Sequence, residues 1–319
     1  MKRALRLLAA AGAGLLVLVA GFIAWAWAPD LPLEELKARW APPPSQFIDV
    51  QGLLVHVRDE GPRDDPLPIV LVHGTASSLH TWAGWAGELA RTRRVIRFDL
   101  PGFGLTGPSP SGDYTMDAYV RFMAALLDRL GVARCVLGGN SLGGEVAWAT
   151  ALAHPQRVAR LILVDAAGYR FTPRGLPIGF ALAATPGLRT LMRQLLPPGL
   201  VERSVRSVYG DPSRVTAQQV ALYTDMARRP GNREALGRRL AVHFTGREAD
   251  IARLRLPTLI LWGGKDRLIP PEYGERFARD IAGSRLVVFD ALGHVPHEED
   301  PAATLPVVQA FLAEPEPAR

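Results

Sequence analysis

Short apolar runs alternate with amphipathic helical patterns along most of this 319-residue chain. The apolar runs are Leu53–Arg58, Ile69–Val72, Arg94–Asp99, Arg134–Gly138, Leu161–Asp165, Thr258–Trp262 and Arg285–Phe289. The helical patterns between them are Trp82–Arg91, Met116–Leu130, Leu142–Ala153, Glu272–Ile281 and Ala303–Leu312. Nearly uninterrupted apolar runs are typical of strands that are covered on both faces. The alternation therefore predicts an α/β fold, a mostly parallel sheet of about eight strands with helices on both faces.

One interval breaks this alternation. Between Asp165 and Thr258 no run predicts a strand, and the interval holds helical stretches separated by proline and glycine. We interpret residues 168–250 as a helical lid over the sheet edge, inserted into a core of residues 46–167 and 251–313. The first run, Leu53–Arg58, is expected to pair antiparallel at the edge of the sheet, and the tail, residues 314–319, to fray.

The N-terminus carries a pattern typical of a membrane span. The segment from Leu7 to Ala28 contains no charged residue and follows Lys2, Arg3 and Arg6. As a helix it would reach about 33 Å, enough for a bilayer core of about 30 Å. The positive flank predicts a transmembrane anchor over residues 1–28 with a cytoplasmic N-terminus. The remaining chain would then lie outside the cytoplasm, in the periplasm if the source is a bacterium.

A cleaved signal peptide is the alternative for this segment. Ala24-Trp25-Ala26 and Ala26-Trp27-Ala28 resemble small-x-small cleavage sites. The apolar run is longer than the usual signal-peptide core of about 7–15 residues, which favours the anchor. Residues 29–45, which contain several prolines, are expected to form a short helix and a stiff linker.

Composition excludes several kinds of site. The chain has a single cysteine, Cys135, which excludes an internal disulfide and any zinc or iron–sulfur site formed by a cluster of cysteines. Cys135 lies in an apolar run and is expected to be a buried thiol. The net charge of +6 is dispersed, and no nucleic-acid-binding motif is present. We expect no metal, no organic cofactor and no nucleic-acid partner; the oligomeric state stays open.

The segment Gly139-Asn140-Ser141-Leu142-Gly143-Gly144 carries the strongest chemical signal. It follows an apolar strand pattern and opens a helical one, the setting in which Gly-x-Ser-x-Gly forms a nucleophile elbow. The tight turn forces strained backbone angles on the serine, and the flanking glycines remove side chains that would clash. We expect Ser141 to project from the sheet edge, beside a helix N-terminus that favours developing negative charge.

With the motifs around it, this segment resembles the α/β-hydrolase family over about residues 46–312. The matching motifs are His73-Gly74-Thr75, like the family's oxyanion loop, Asp99-Leu100-Pro101-Gly102-Phe103-Gly104, like its Asp-x-Pro-Gly-x-Gly turn, and Gly293-His294 after the last strand. The family's order is nucleophile, acid, histidine. The resemblance therefore implies a catalytic triad of Ser141, Asp266 and His294.

Elementary chemistry assigns the roles in such a triad. A serine hydroxyl needs a base within hydrogen-bond reach, and the base needs an acid that fixes its tautomer. Of the seven histidines, His294 is favoured as the base and His297 is the alternative. Asp266 is favoured as the acid, and Asp165 is the alternative because some family members place the acid at the end of the preceding strand.

An acyl-transfer intermediate also requires donors for its oxyanion. The N–H of Leu142 follows the nucleophile directly, and the resemblance implies the N–H of Thr75 as the second donor. We expect His73 to brace this loop by hydrogen bonding and Asp99 to cap a turn.

The resemblance implies a serine hydrolase, and we expect a carboxylesterase or lipase-like enzyme that forms an acyl-enzyme on Ser141. Dehalogenases and epoxide hydrolases of this fold use an aspartate in that position, which argues against both. Carbon–carbon hydrolases of ring-cleavage (meta-cleavage) products share the Gly-Asn-Ser-x-Gly-Gly segment and are the alternative. Lactonases and cofactor-free haloperoxidases share the triad, and a noncatalytic membrane scaffold is the alternative outside enzymes.

The lid is strongly basic. Between Gly168 and Asp250 it holds 13 arginines against six acidic residues, a net charge of +7. One hypothesis is that it binds anionic headgroups of the bilayer and admits an apolar or lipid-like ester, with Arg228, Arg229, Arg238 and Arg239 as test positions. The alternative is that these arginines are solvated or ion-paired.

Overall fold

The computed structural model describes residues 2–185, 187, 193–242 and 246–315. It contains one eight-stranded sheet in the order β1-β2-β4-β3-β5-β6-β7-β8. The strands are β1 (Gln46–Val50), β2 (Leu53–Glu60), β3 (Ile69–Val72), β4 (Val95–Phe98), β5 (Cys135–Asn140), β6 (Val158–Val164), β7 (Thr258–Gly263) and β8 (Arg285–Phe289). The pairs β1·β2 and β2·β4 are antiparallel, and all later pairs are parallel. The mostly parallel α/β sheet predicted from the sequence is thus confirmed.

Helices cover both faces of this sheet. Those before β7 are α1 (Lys2–Ala26), α2 (Leu33–Trp40), α3 (Ala83–Leu89), α4 (Met116–Arg129), α5 (Leu142–Ala153), α6 (Ile178–Ala184), α7 (Leu200–Arg206), α8 (Ala217–Ala227) and α9 (Asn232–Leu240). The later ones are α10 (Glu272–Asp280), α11 (Pro296–Glu299) and α12 (Pro301–Ala313).

Strand β3 illustrates why its sequence is apolar throughout. Val70 and Val72 belong to a core with α4 and α5, whereas Ile69 and Leu71 belong to a second core with α3 and α12. Successive side chains on a strand point to opposite faces, so a strand between two helical layers needs apolar residues at every position. Cys135 on β5 is buried, and burial raises the pKa of its thiol to about 12.

The edge of the sheet differs from the prediction. β2 is antiparallel as expected, but β1 lies outside it and forms the edge. β1 was not among the predicted strands because Gln46–Val50 directly follows the proline-rich segment and mixes polar with apolar residues. The short helix expected in the linker is α2.

In the interval between β6 and β7, the described residues contain the helices α6 to α9 and no strand. Its one β-type pairing in the described residues is an isolated bridge between Leu195 and Trp27, just after α1. The amide of Ala28 donates to the carbonyl of Gln194 at 2.9 Å, and that of Leu196 to Ala26 at 2.8 Å. The end of α1 is therefore fastened to the insertion between β6 and β7.

Helix α1 itself lies outside the folded body. Its 25 residues are exposed except for Ala26, and its length and apolar composition suffice to cross a membrane. It is a candidate transmembrane span.

Candidate active site

Ser141 lies at the turn between β5 and α5 with φ 54° and ψ −118°, an uncommon conformation for a residue with a side chain. The glycines around it allow this turn. A Cβ on Gly139 would lie 2.1 Å from the carbonyl oxygen of Gly143, and one on Gly143 would lie 2.1 Å from that of Val72. The backbone packs so closely here that no side chain fits at either position.

His294 and Asp266 form the central contact of the site. Nδ1 of His294 lies 2.6 Å from Oδ2 of Asp266, and both side chains are shielded from solvent. The other oxygen of Asp266 accepts hydrogen bonds from the amides of Leu268 and Ile269, at 2.8 and 3.0 Å. Both oxygens of Asp266 thus lie at acceptor positions, so Nδ1 of His294 donates to Oδ2 and Nε2 is left to accept a proton.

Ser141 and His294 line the same cavity, of about 150 Å³. The hydroxyl of Ser141 makes no hydrogen bond with any of the described residues, so its hydrogen bond with Nε2 of His294 is not formed here. Catalytic hydrogen bonds are often long in a ligand-free site and tighten when substrate binds.

The loop with Thr75 lies directly against Ser141. A Cβ on Gly74 would come within 3.2 Å of Cβ of Ser141. The amides of Thr75 and Leu142 find no acceptor among the described residues, which leaves two N–H donors near the nucleophile.

His73 braces this loop, as expected. Its Nδ1 donates to the carbonyl of Gly74 at 2.7 Å, and its Nε2 accepts from the amide of Leu100 at 2.9 Å. Burial lowers the pKa of the ring, which favours the neutral form that this bonding requires. Asp99 accepts from the amides of Leu79 and Leu105, so it caps the adjoining turn.

The alternative base, His297, is buried away from the cavity that Ser141 lines. Its ring packs on Trp82 with centroids 3.9 Å apart, and its Nε2 lies 3.1 Å from the hydroxyl of Thr81. Burial holds the pKa of its ring well below the usual value. This environment argues against proton transfer at Ser141.

The alternative acid, Asp165, lies beside the pair rather than replacing Asp266. The donor atoms of Asp165, Asp266 and His294 all lie within 4.8 Å of one another. Such a group has the donor types of a metal site, but Asp266 and Nδ1 of His294 are already committed to hydrogen bonds. The arrangement is therefore more consistent with proton transfer through His294 than with metal binding.

Three residues that hold or line the site were not predicted from the sequence. Glu299 accepts hydrogen bonds from the amides of Gly293 and Gly210, at 2.8 and 2.9 Å, and so ties the loop of the catalytic histidine to the insertion. Tyr223 and Arg233, on α8 and α9, line the cavity. No sequence motif marks these three residues, because each is defined by contacts between distant segments.

The comparisons with known proteins identify the family. A model described as the alpha/beta hydrolase fold matches residues 68–301. The chain is 33% identical over 274 residues to a 2-hydroxy-6-oxo-2,4-heptadienoate hydrolase of Pseudomonas putida, covering 82% of this chain and 94% of that protein. The chain therefore belongs to the α/β-hydrolase family of enzymes.

Two solved structures extend this likeness. A meta-cleavage product hydrolase from Pseudomonas fluorescens IP01 matches with a TM-score of 0.70 and 26% identity, covering 84% of this chain and 97% of that one. A membrane phospholipase A matches with a TM-score of 0.70 and 25% identity, covering 98% of both chains. The named relatives favour the carbon–carbon hydrolase alternative over the ester hydrolase that we expected first.

Proposed function

We propose that this hydrolase cleaves a bond next to a carbonyl group, with Ser141 as the nucleophile. The hydrogen bond between His294 and Asp266, next to the cavity that Ser141 lines, is the observation that carries the proposal. Oγ of Ser141 attacks the carbonyl carbon while Nε2 of His294 takes its proton, and Asp266 stabilises the imidazolium. The amides of Thr75 and Leu142 bind the oxyanion.

The departing group then receives the proton from His294, and water releases the acyl group from Ser141. An ester loses an alcohol in this step. A carbon–carbon bond breaks only if the departing carbon can delocalise its electron pair into a conjugated carbonyl. The substrate of a carbon–carbon hydrolase must therefore be a diketone, with one carbonyl attacked by Ser141 and the other conjugated to the departing carbon.

The first candidate substrate class is a carbon–carbon bond in a ring-cleavage product. The names of the relatives from Pseudomonas support it, with identities of 26–33% over more than four fifths of the chain.

The second candidate class is an apolar, lipid-like ester. The described residues that line the cavity are mostly apolar, among them Phe180, Leu196, Leu200, Val205 and Leu236. The likeness to the membrane phospholipase A spans 98% of the chain, so it extends over nearly all of the segment that precedes the family match.

Kinetics on the purified full-length protein separate the two classes. We expect kcat/KM for a 2-hydroxy-6-oxo-dienoate to exceed that for any nitrophenyl ester from acetate to palmitate by about 100-fold or more. A preference for long-chain esters would establish the second class instead. Ser141→Ala is the control, because it removes the nucleophile from either reaction.

A fluorophosphonate probe tests whether the protein is an enzyme at all. Labelling at Ser141 is expected for a working triad. A folded protein that resists the probe, and turns over neither substrate, would support the noncatalytic scaffold.

We propose further that α1 is retained as a membrane anchor, with a linker over residues 29–45 and a lid over 168–250. The two backbone hydrogen bonds that form the bridge between residues 26–28 and 194–196 support this, because cleavage after Ala26 would remove one of them and cleavage after Ala28 would remove both. The expected topology is a cytoplasmic N-terminus with the hydrolase domain outside. N-terminal sequencing of the mature protein decides: a start at Trp27 or Pro29 would make the segment a signal peptide.

The proposed binding of the lid to anionic headgroups has less support. Arg228 donates to the carbonyl of Pro29, and Arg229 to that of Thr106. Arg238 pairs with Glu234, and Arg239 lies 3.5 Å from Glu145. These contacts favour the alternative of internally paired arginines. Charge reversal at the four positions, measured by vesicle binding, tests the hypothesis.

A further inference from the structure

One cationic side chain, Arg233, enters the wall of the cavity that contains Ser141. Among the described lining residues it is the single side chain with a full charge at neutral pH when His294 is neutral. The same cavity wall includes the apolar residues Leu236, Ala227 and Phe180. A charge in such surroundings requires compensation, because burial removes the water that would otherwise solvate it.

The compensation of Arg233 is incomplete. Its Nη2 donates to Oδ1 of Asp30 at 2.7 Å, but its Nε and Nη1 are buried and find no acceptor among the described residues. Arg233 is 9% exposed, whereas the side chain of Asp30 is 37% exposed. Solvent therefore screens the carboxylate more than the guanidinium, which leaves a positive potential and unused donors at the cavity.

A small side chamber lies next to Arg233. It has a volume of about 40 Å³ and shares Ala76, Ser77 and Arg233 with the main cavity. A water needs about 10–15 Å³ on this measure, so the chamber holds about three or four atoms of oxygen size. That is room for the three heavy atoms of a carboxylate but too little for the five heavy atoms of a phosphodiester group.

The lining of this chamber also includes Asn232, whose side chain carries an acceptor without a donor. Asn232 donates from Nδ2 to the carbonyls of Gly104 and Met226, and its buried Oδ1 has no partner among the described residues. A hydroxyl or a water next to a bound anion would supply the missing proton. The chamber is thus equipped for a hydrated or hydroxyl-bearing anionic group.

We propose that Arg233 forms a carboxylate subsite, so that the enzyme selects substrates with an anionic oxygen group in addition to the carbonyl that Ser141 attacks. This inference rests on the proposed function only in taking the cavity with Ser141 as the substrate site. The substrate class that it names is an apolar carboxylic acid that also contains the carbonyl attacked by Ser141. This class applies whether the enzyme cleaves an ester or a carbon–carbon bond.

Two substitutions with opposite expected signs test the subsite. The substrates are the nitrophenyl half-ester of hexanedioic acid and neutral nitrophenyl hexanoate. Arg233→Gln should lower the ratio of their kcat/KM values by about 10- to 100-fold, since it removes a charge-assisted hydrogen bond. Asp30→Asn should raise the same ratio by about 3- to 10-fold, since it removes the competing anion and leaves Arg233 in place.

Arg238→Gln is the matched control. Arg238 also lies on α9, but its guanidinium is half exposed and is paired with Glu234 on the surface. Its substitution should leave the ratio within about twofold of the wild-type value. A ratio that neither Arg233→Gln nor Asp30→Asn changes would overturn the subsite.

Binding without turnover keeps this test independent of the proposed reaction. Calorimetry on the Ser141→Ala protein should show hexanoate binding more tightly than hexanamide, and Arg233→Gln in that background should abolish the difference. Hexyl phosphate bound more tightly than hexanoate, in an Arg233-dependent manner, would overturn the carboxylate assignment in favour of phosphate. Carboxylate binding in a protein that cleaves neither substrate class would refute the proposed function while leaving the subsite intact.

Discussion

The carboxyl groups of Asp165 and Asp266 lie next to each other behind His294, and both are shielded from solvent. Asp165 accepts the amide of Gly263 at Oδ1, while its buried Oδ2 meets no hydrogen-bond donor among the described residues. Burial, together with the charge of Asp266, raises the pKa of Asp165 well above its usual value. A protonated Asp165 explains the arrangement, because its O–H becomes a donor to the neighbouring carboxylate.

This relationship predicts unequal effects for two similar substitutions. Asp266→Asn should lower kcat by about 10⁴-fold, because the amide no longer fixes the tautomer of His294 or stabilises its charged form. Asp165→Asn should lower kcat by less than about 10-fold, because an amide N–H replaces the donor and asparagine tolerates the φ of 44° at this position. Steady-state kinetics of both variants make the comparison. Equal losses would mean that Asp165 is an ionised member of the catalytic group.

The same pair predicts how stability depends on pH. A carboxyl with a raised pKa in the folded state binds a proton that the unfolded state has already released above about pH 4. Its contribution to stability therefore decreases as pH rises from about 4 towards the raised pKa of Asp165. Asp165→Asn removes this effect. Thermal unfolding at pH 5 and pH 8 should show the Tm of the variant improving relative to wild type by about a few degrees at the higher pH.

Other buried carboxyl groups contribute to the pH dependence of stability. Burial also raises the pKa of Glu145 and Glu298, so the wild-type protein loses stability with rising pH from those groups too. They are present in both proteins and cancel in the difference between variant and wild type. A difference that does not change between pH 5 and pH 8 would contradict a protonated Asp165.

The turn at Ser141 predicts a sharp contrast between two glycines in helical segments. Gly143→Ala should lower the free energy of unfolding by about 2–4 kcal/mol, because its Cβ would lie 2.1 Å from the carbonyl oxygen of Val72. Gly87→Ala on α3 meets nothing within 4 Å and should stabilise the protein by about 0.5–1 kcal/mol. Urea unfolding midpoints measure both. Wild-type stability of Gly143→Ala would show that the backbone at Gly143 and Val72 can shift to accommodate a Cβ without loss of stability.

Local sequence rules account for the sheet and for the turn at Ser141. The apolar strand runs and the glycines around Ser141 each depend on a few neighbouring residues, so a pattern reveals them. β1 was missed because five residues of mixed polarity at an edge carry little periodic signal. Asp266 and His294 were paired through the family resemblance, and the structure places them in contact at 2.6 Å.

The rest of the site depends on contacts that no local pattern encodes. Arg233 meets Asp30 across 203 positions of sequence, and Tyr223 lies 2.7 Å from Glu298 across 75. Each partner alone resembles an ordinary surface residue on a helix or in a loop. Only the packing of the insertion brings Arg233 and Tyr223 to the cavity wall and to these distant partners.

Glu299 supports the loop of the catalytic histidine and gives the last prediction. Its carboxylate accepts hydrogen bonds from three amides, those of Gly293, Gly210 and Asp211, at 2.8–2.9 Å. Glu299→Gln replaces one accepting oxygen with a donor that opposes an N–H, so the loop with His294 should lose its fixed position. We expect kcat to decrease by about 10- to 100-fold with KM changed by less than about 3-fold, because the residue acts on the position of the base rather than on substrate. Glu272→Gln, at an exposed ion pair with Arg174, is the control and should leave kcat unchanged. An increase in KM with kcat preserved would instead assign Glu299 to the shape of the cavity, through its hold on the insertion.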